Sequence, residues 1–176
     1  MGMKNYLLAI LLACASCAHY RLVGTTLPAE YRSIEIGPVV NLTSEARLES
    51  DLRNSLSESV MNTPGVSLVR PGTDGGLLLS AKIAELSQQR GARARLRAPH
   101  DRDRSGKAYQ TVVFRMTFKV EYQAIAANGG EPVRSGVVTV SADYPTMADQ
   151  ETARAEALRE AMRSAARQIV AEVTEG

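Results

Sequence analysis

The chain has 176 residues, with 21 Lys and Arg against 19 Asp and Glu and a formal net charge of +2. That length suits one compact domain, and the near balance of charge gives no field with which to attract nucleic acid. Two cysteines, two phenylalanines and no tryptophan exclude a disulfide-rich framework and leave Leu, Val, Ile, Ala and Met to build the core.

At the amino end, Lys4 supplies positive charge and Tyr6 to Ala15 is almost wholly apolar. This run is about half of the roughly 20 residues a helix needs to cross a bilayer, so it fits the apolar part of a secretory signal. It ends in Ala15-Ser16-Cys17, with Leu11-Leu12-Ala13-Cys14 just before. Both arrangements look like a bacterial lipobox, whose cysteine becomes the acylated first residue of the mature chain. Cys17 is the expected lipid site and Cys14 the alternative. Each buried methylene contributes about 0.8 kcal/mol, so two or three acyl chains hold the protein far more firmly than one. Residues 1–16 then form the signal, 17–31 the lipidated end and tether, and 32–176 a single domain outside the cytoplasm. Neither cysteine is left for a disulfide in that domain, and no cofactor is expected beyond the covalent lipid.

Gly24 and Pro28 disfavour regular structure in the tether. Ser33 to Val40 is rich in Ile and Val and predicts a strand. Gly37-Pro38 interrupts it, so it is expected to be bulged or to lie at an edge. Asn41, Thr43 and Ser44 are helix-start residues, with Glu45 expected in a first turn. The match of Asn41-Leu42-Thr43 to a glycosylation sequon is read as part of that helix start. Leu48, Leu52, Leu56 and Val60 recur every fourth position with charges between them, which predicts an amphipathic helix. Asn62-Thr63-Pro64-Gly65 stops it.

Val66 to Val69 is a candidate short strand. After a turn at 71–76, Leu77, Leu79, Ala81 and Ile83 alternate with their neighbours as in a strand. Residues 87–107 change character. Arg90, Arg93, Arg95, Arg97, Arg102, Arg104 and Lys107 face only Asp101 and Asp103, in what reads as a long basic loop with strand extensions at each end. The clearest alternation follows: Phe114, Met116, Phe118, Val120, Tyr122 and Ala124 at even positions, Arg115, Thr117, Lys119, Glu121 and Gln123 at odd ones. This is a strand with one face on a core and one toward water. Asn128-Gly129-Gly130 predicts a hairpin turn, and Val133 to Tyr144 the returning strand. Residues 149–173 read as a long helix whose apolar face carries Ala153, Ala157, Ala161, Ala165, Leu158, Met162, Ile169 and Val173.

These patterns predict an α+β fold, a mostly antiparallel, mixed sheet of about four strands with two helices packed on one face. The other face, carrying Arg115, Lys119 and Glu121, is left to water or a polar partner. A catalytic set is not apparent. His19 lies in the tether and His100 in the basic loop, where His100-Asp101-Arg102-Asp103 reads as solvated loop. Phosphate-binding and nucleophile-elbow motifs are missing, and no metal site is expected. The arginines of the loop carry the possible binding chemistry, because a guanidinium presents a planar fork to phosphate or carboxylate.

Cys17-Ala18-His19-Tyr20-Arg21-Leu22 with Gly24-Thr25-Thr26-Leu27-Pro28 resembles the start of LptE-type lipopolysaccharide-assembly lipoproteins, although His19 stands where Gly is usual. Residues 32–43 resemble that family's first strand and the Asn-x-Thr after it. Glu45 to Leu52 resembles the opening of its first helix, and the hairpin and the alanine-rich final helix match its architecture. The resemblance implies a non-enzymatic outer-membrane lipoprotein on the periplasmic side. It would plug and help fold the LptD β-barrel and help deliver lipopolysaccharide to the cell surface. The implied partners are an LptD-like barrel, lipopolysaccharide and the membrane through the lipid anchor, with no nucleic acid. Charge alone makes Arg90, Arg93, Arg95, Arg97, Arg102, Arg104 and Lys107 the candidates for lipopolysaccharide or anion contact. A different lipid-anchored envelope assembly module of similar fold is the alternative.

Overall fold

A computed structural model describes residues 26–73, 76–91, 93–95, 109–111, 113–146 and 149–175. In chain order a short 3-10 turn (Ala29–Tyr31) leads to β1 (Ser33–Asn41), α1 (Leu48–Met61), β2 (Ser67–Val69) and β3 (Leu77–Arg90). Then come β4 (Arg93–Arg95), β5 (Tyr109–Thr111), β6 (Val113–Ala126), β7 (Pro132–Pro145) and α2 (Gln150–Glu175). Five strands form one sheet in the order β2-β1-β3-β6-β7, one more than the sequence suggests, while β4 and β5 pair separately. β1 runs parallel to β2 and β3, and β6 is antiparallel to β3 and β7. The sheet is therefore mixed, as expected.

Both helices lie on one face, α1 over β1 and α2 over β7 and α1. The predicted stripe of α1 is fully covered: Leu48, Leu52, Leu56 and Val60 are all 0% exposed. On α2, Ala157, Ala161, Ala165 and Ala166 are buried beside Met162 and Ile169, and their small side chains let the helix lie close to the strands. The even positions of β6 supply the facing wall, with Met116, Phe118, Val120, Tyr122 and Ala124 buried.

The bulge expected at Gly37-Pro38 is present, and two further local features depart from or add to the sequence reading. The register between β1 and β3 slips between Ile36 and Val39, so Gly37-Pro38 makes a bulge. β1 is not the outermost strand, but β2 covers only Ser33 to Glu35. The proline sits beyond that cover, where its missing N–H costs little. The first helix starts at Leu48, later than Asn41 to Glu45 suggest. The Asn41 side chain instead accepts from the Thr43 N–H and hydroxyl and donates to the Glu45 carbonyl at 2.7 Å. Those groups are used up in a local turn, and Arg47, with φ 70°, caps the helix without a side-chain bond. Finally, β3 bulges at Ala84: Ile83 pairs with Val120 but Glu85 with Lys119. The extra residue moves Glu85 to the face away from the helices.

Candidate functional site

Among the described residues nothing covers the sheet face opposite the helices. Its charged residues on β3, β6 and β7 are paired across strands. Lys82 meets Glu121 at 2.5 Å, Lys119 meets Glu85 at 2.8 Å, and Arg115 grips Asp143 with two bonds of 2.7 and 2.8 Å. The Arg115 guanidinium holds the Asp143 carboxyl below the ordinary carboxylate range. Exposed pairs of this kind add about 0–1 kcal/mol each. Their consequence is electrical: on β3, β6 and β7 three cations cancel three anions, while Glu35 on β1, opposite Leu78, accepts from the Gly72 N–H at 3.1 Å. Thr117 and Ser141 share a hydroxyl bond of 3.0 Å in the same array.

One row of the register runs Val40, Lys82, Glu121, Val137 across four strands. The two valines at its ends are 45% and 58% exposed. Between them lies an open trough of about 630 Å³, floored by Pro38, Leu78, Ser80 and Gln123. The face is thus a neutral ion pair framed by apolar side chains.

The β3–β6 hairpin continues past the sheet. The Gly91 N–H donates to the Val113 carbonyl at 2.9 Å, and Arg93, Ala94 and Arg95 pair with Thr111, Gln110 and Tyr109. The expected strand extensions at both ends of the basic segment are therefore present. Arg90 is exposed at the end of β3, and Arg93 and Arg95 fall on β4. Arg97, Arg102, Arg104 and Lys107 lie outside the described residues, as do both lipidation candidates, Cys14 and Cys17.

Two polar links on the helix side were not legible in the sequence. The Tyr122 hydroxyl donates to Glu172 at 2.6 Å. Its space exists because residue 136 is glycine: a Cβ there would lie 2.8 Å from the hydroxyl. Burial first, then the Glu172 bond, pushes the Tyr122 pKa up to about 12, with Arg134 opposing. An unfolded tyrosine titrates near 10. The folded state therefore favours the neutral phenol, and its contribution is full below about pH 10 and lost as pH rises through about 12. Tyr122→Phe is expected to cost about 1 kcal/mol at neutral pH and to flatten that alkaline loss. Urea midpoints followed by circular dichroism at about pH 8 and about pH 11 check this, and an unchanged alkaline limb would contradict it.

The second link joins Glu45, ahead of α1, to Arg154 in the first turns of α2 through two guanidinium bonds. Beside it Tyr144 stacks on Phe114 with ring centroids 5.4 Å apart, and Gln88 donates to the Tyr144 hydroxyl at 2.9 Å. This knot fixes the sheet end from which the basic hairpin leaves. The signal for it was an acidic residue expected at a helix start; its partner lies 109 residues away.

Among the described residues no group of three His, Cys, Asp or Glu could hold a metal ion, and no helix is long and apolar enough to cross a membrane. What the described residues present is a sheet face whose charges on β3, β6 and β7 are paired, with a hairpin at one end that carries Arg90, Arg93 and Arg95.

The fold recurs in solved structures of low sequence similarity. A protein from Xanthomonas campestris matches with a TM-score of 0.56 at 10% identity, over 85% of this chain and 86% of its own. A homologue of a neuraminyllactose-binding hemagglutinin from Helicobacter pylori matches with 0.50 at 12% identity, over 89% and 92%. A minor lipoprotein from Acinetobacter baumannii is 17% identical, over 81% and 92%, with a TM-score of 0.45. No curated protein matches the chain. The lipopolysaccharide-assembly family model LptE matches residues 31–173, which take in the whole sheet, both helices and the basic hairpin. The chain belongs to the LptE lipopolysaccharide-assembly family.

Proposed function

We propose that the chain is an outer-membrane lipoprotein, acylated at Cys17 or alternatively Cys14, that seats in an LptD-like β-barrel and assists delivery of lipopolysaccharide to the cell surface without chemistry of its own. The observation that carries this reading is the bare sheet face, whose charges on β3, β6 and β7 are already paired. The lumen of a large barrel is polar and wet. A plug for it needs a polar surface, yet each unpaired charge that it buries costs several kcal/mol. A face of matched ion pairs meets both demands. The basic hairpin adds guanidinium groups suited to the phosphates of lipopolysaccharide. Signal 1–16, tether 17–31 and domain 32–176 complete the arrangement.

The test is a mild-detergent pull-down of tagged full-length chain from its own membranes. Stoichiometric recovery of a large β-barrel protein is the expected result. Placing two unpaired charges on the bare face, with Val40→Asp and Val137→Asp together, is expected to lower that recovery by tenfold or more while leaving the fold intact. Recovery of the chain alone, or with periplasmic proteins only, would reduce the protein to a lipid-anchored interaction module of another kind.

A further inference from the structure

One edge of the sheet is guarded and the other is open. At the β1 edge, β2 covers Ser33 to Glu35, and Gly37-Pro38 breaks the strand beyond it. A short outer strand, a bulge and a proline all discourage further pairing. At the other edge β7 runs 14 residues, from Pro132 to Pro145, roughly 45 Å at the rise of a strand. Among the described residues only β6 pairs with it. From Ser135 to Ala142 it carries no charge and includes Val137, Val138, Thr139 and Val140. A long, uncharged edge rich in β-branched residues is a template for another strand.

The register shows which backbone groups of that edge are unused. In an antiparallel ladder the N–H and C=O of one residue point to the same neighbour, and successive residues alternate. The Gly91 N–H donates to the Val113 carbonyl and the Ala127 N–H to the Gly76 carbonyl. Odd residues of β6 therefore face β3, and even ones face β7. Phe114 to Ala124 pair at even positions with Tyr144 to Arg134. That leaves the odd residues Ser135, Val137, Thr139, Ser141 and Asp143 with their backbone groups turned outward, and all five are exposed.

We propose that the β7 edge pairs with the same edge of a second copy of this chain, antiparallel about a two-fold axis at Thr139, so that two five-stranded sheets join into one. Centring the five outward residues on themselves sets Thr139 opposite Thr139, Val137 opposite Ser141, and Ser135 opposite Asp143 of the second copy. The last pair matches a hydroxyl donor to a carboxylate, and no like charges meet. On the helix side Val138 meets Val140 and Gly136 meets Ala142, all of them apolar or small. Each outward pair exchanges two bonds, so the five pairs give about ten backbone hydrogen bonds, as many as a typical specific interface carries. A net charge of +2 puts little repulsion between the copies. The proposal does not rest on the barrel partnership.

The experiment is sedimentation equilibrium of the full lipidated chain in a density-matched detergent, with no barrel protein present. A reversible dimer is expected. Val137→Lys with Ser141→Lys sets lysine opposite lysine twice across the seam, and should raise the dimer dissociation constant at least about tenfold. Val137→Lys with Ser141→Glu sets lysine opposite glutamate at the same places, and should restore that constant to within about threefold of the unsubstituted chain. Both positions are exposed, and unchanged circular dichroism spectra show the variants to be folded. A monomer at every concentration would overturn the proposal. So would a dimer that the double-lysine variant leaves intact, or a lysine–glutamate variant as weak as the double-lysine one. No barrel is present, so the outcome is independent of the pull-down above.

Discussion

Gly76→Ala is expected to destabilise the domain by about 3 kcal/mol or more, enough to remove much of a typical stability of 5–15 kcal/mol. Gly76 has φ +93°, and a Cβ built on it would lie 2.2 Å from the Ser33 carbonyl oxygen and 2.8 Å from the Ser33 Cβ. The nearest obstacle is backbone, which cannot swing aside like a side chain. Moving it would disturb two strand junctions, because Ile34 pairs with Leu77 next door and the Ala127 N–H donates to the Gly76 carbonyl at 2.9 Å. Gly72 provides the control. It has φ +79° and nothing within 4 Å of a built Cβ, so Gly72→Ala should cost only the backbone penalty of about 1–2 kcal/mol. Urea unfolding of both variants separates clash from conformation. Equal losses would mean that β1 and β3 do not approach at Gly76 as described.

Phe118→Ala should cost about 3–5 kcal/mol, the usual range for emptying an aromatic site in a packed core. Phe118 is 0% exposed, at mid-strand on β6, with Leu86 and Val140 as its cross-strand neighbours. The core has few aromatic side chains to close such a hole, since the chain has two phenylalanines and no tryptophan, and α2 buries four alanines beside Met162 and Ile169. Phe118→Leu keeps most of the volume and should cost less than about 1.5 kcal/mol. Thermal unfolding by circular dichroism checks both, and similar melting temperatures for the two variants would sink the packing argument.

Much of the fold was legible because it is written in short periods. Alternation at 114–124 marked β6 and its buried face, the four-residue spacing of Leu48, Leu52, Leu56 and Val60 marked α1, and Asn128-Gly129-Gly130 marked the hairpin. Each signal arises from side chains within one element, and one element has a fixed geometry. The start of α1 was misplaced because Asn41 and Thr43 suit a helix cap and a local turn equally well. Only the surrounding chain chooses between them.

The functional surface was legible by composition but not by arrangement. Arg115, Lys119 and Glu121 pointed to a polar sheet face, and the arginines from 90 to 104 to a basic segment. That the charges of β3, β6 and β7 cancel on the polar face depends on register. Glu85 joins it only because of the bulge at Ala84, and Arg115 finds Asp143 only because β6 and β7 pair as they do. Tyr122 and Glu172, 50 residues apart, and Glu45 and Arg154, 109 apart, follow the same rule.

By itself, then, the sequence determined the α+β class, the elements and most of the buried positions, because local periodicity and turn chemistry act within a few residues. Tertiary structure alone decided the charge pairing on the bare face and the placing of Thr26 and Arg90 at opposite ends of the sheet. Those depend on strand order, register and the docking of Thr26 on Thr174, 148 residues away, contacts whose partners no local pattern can name.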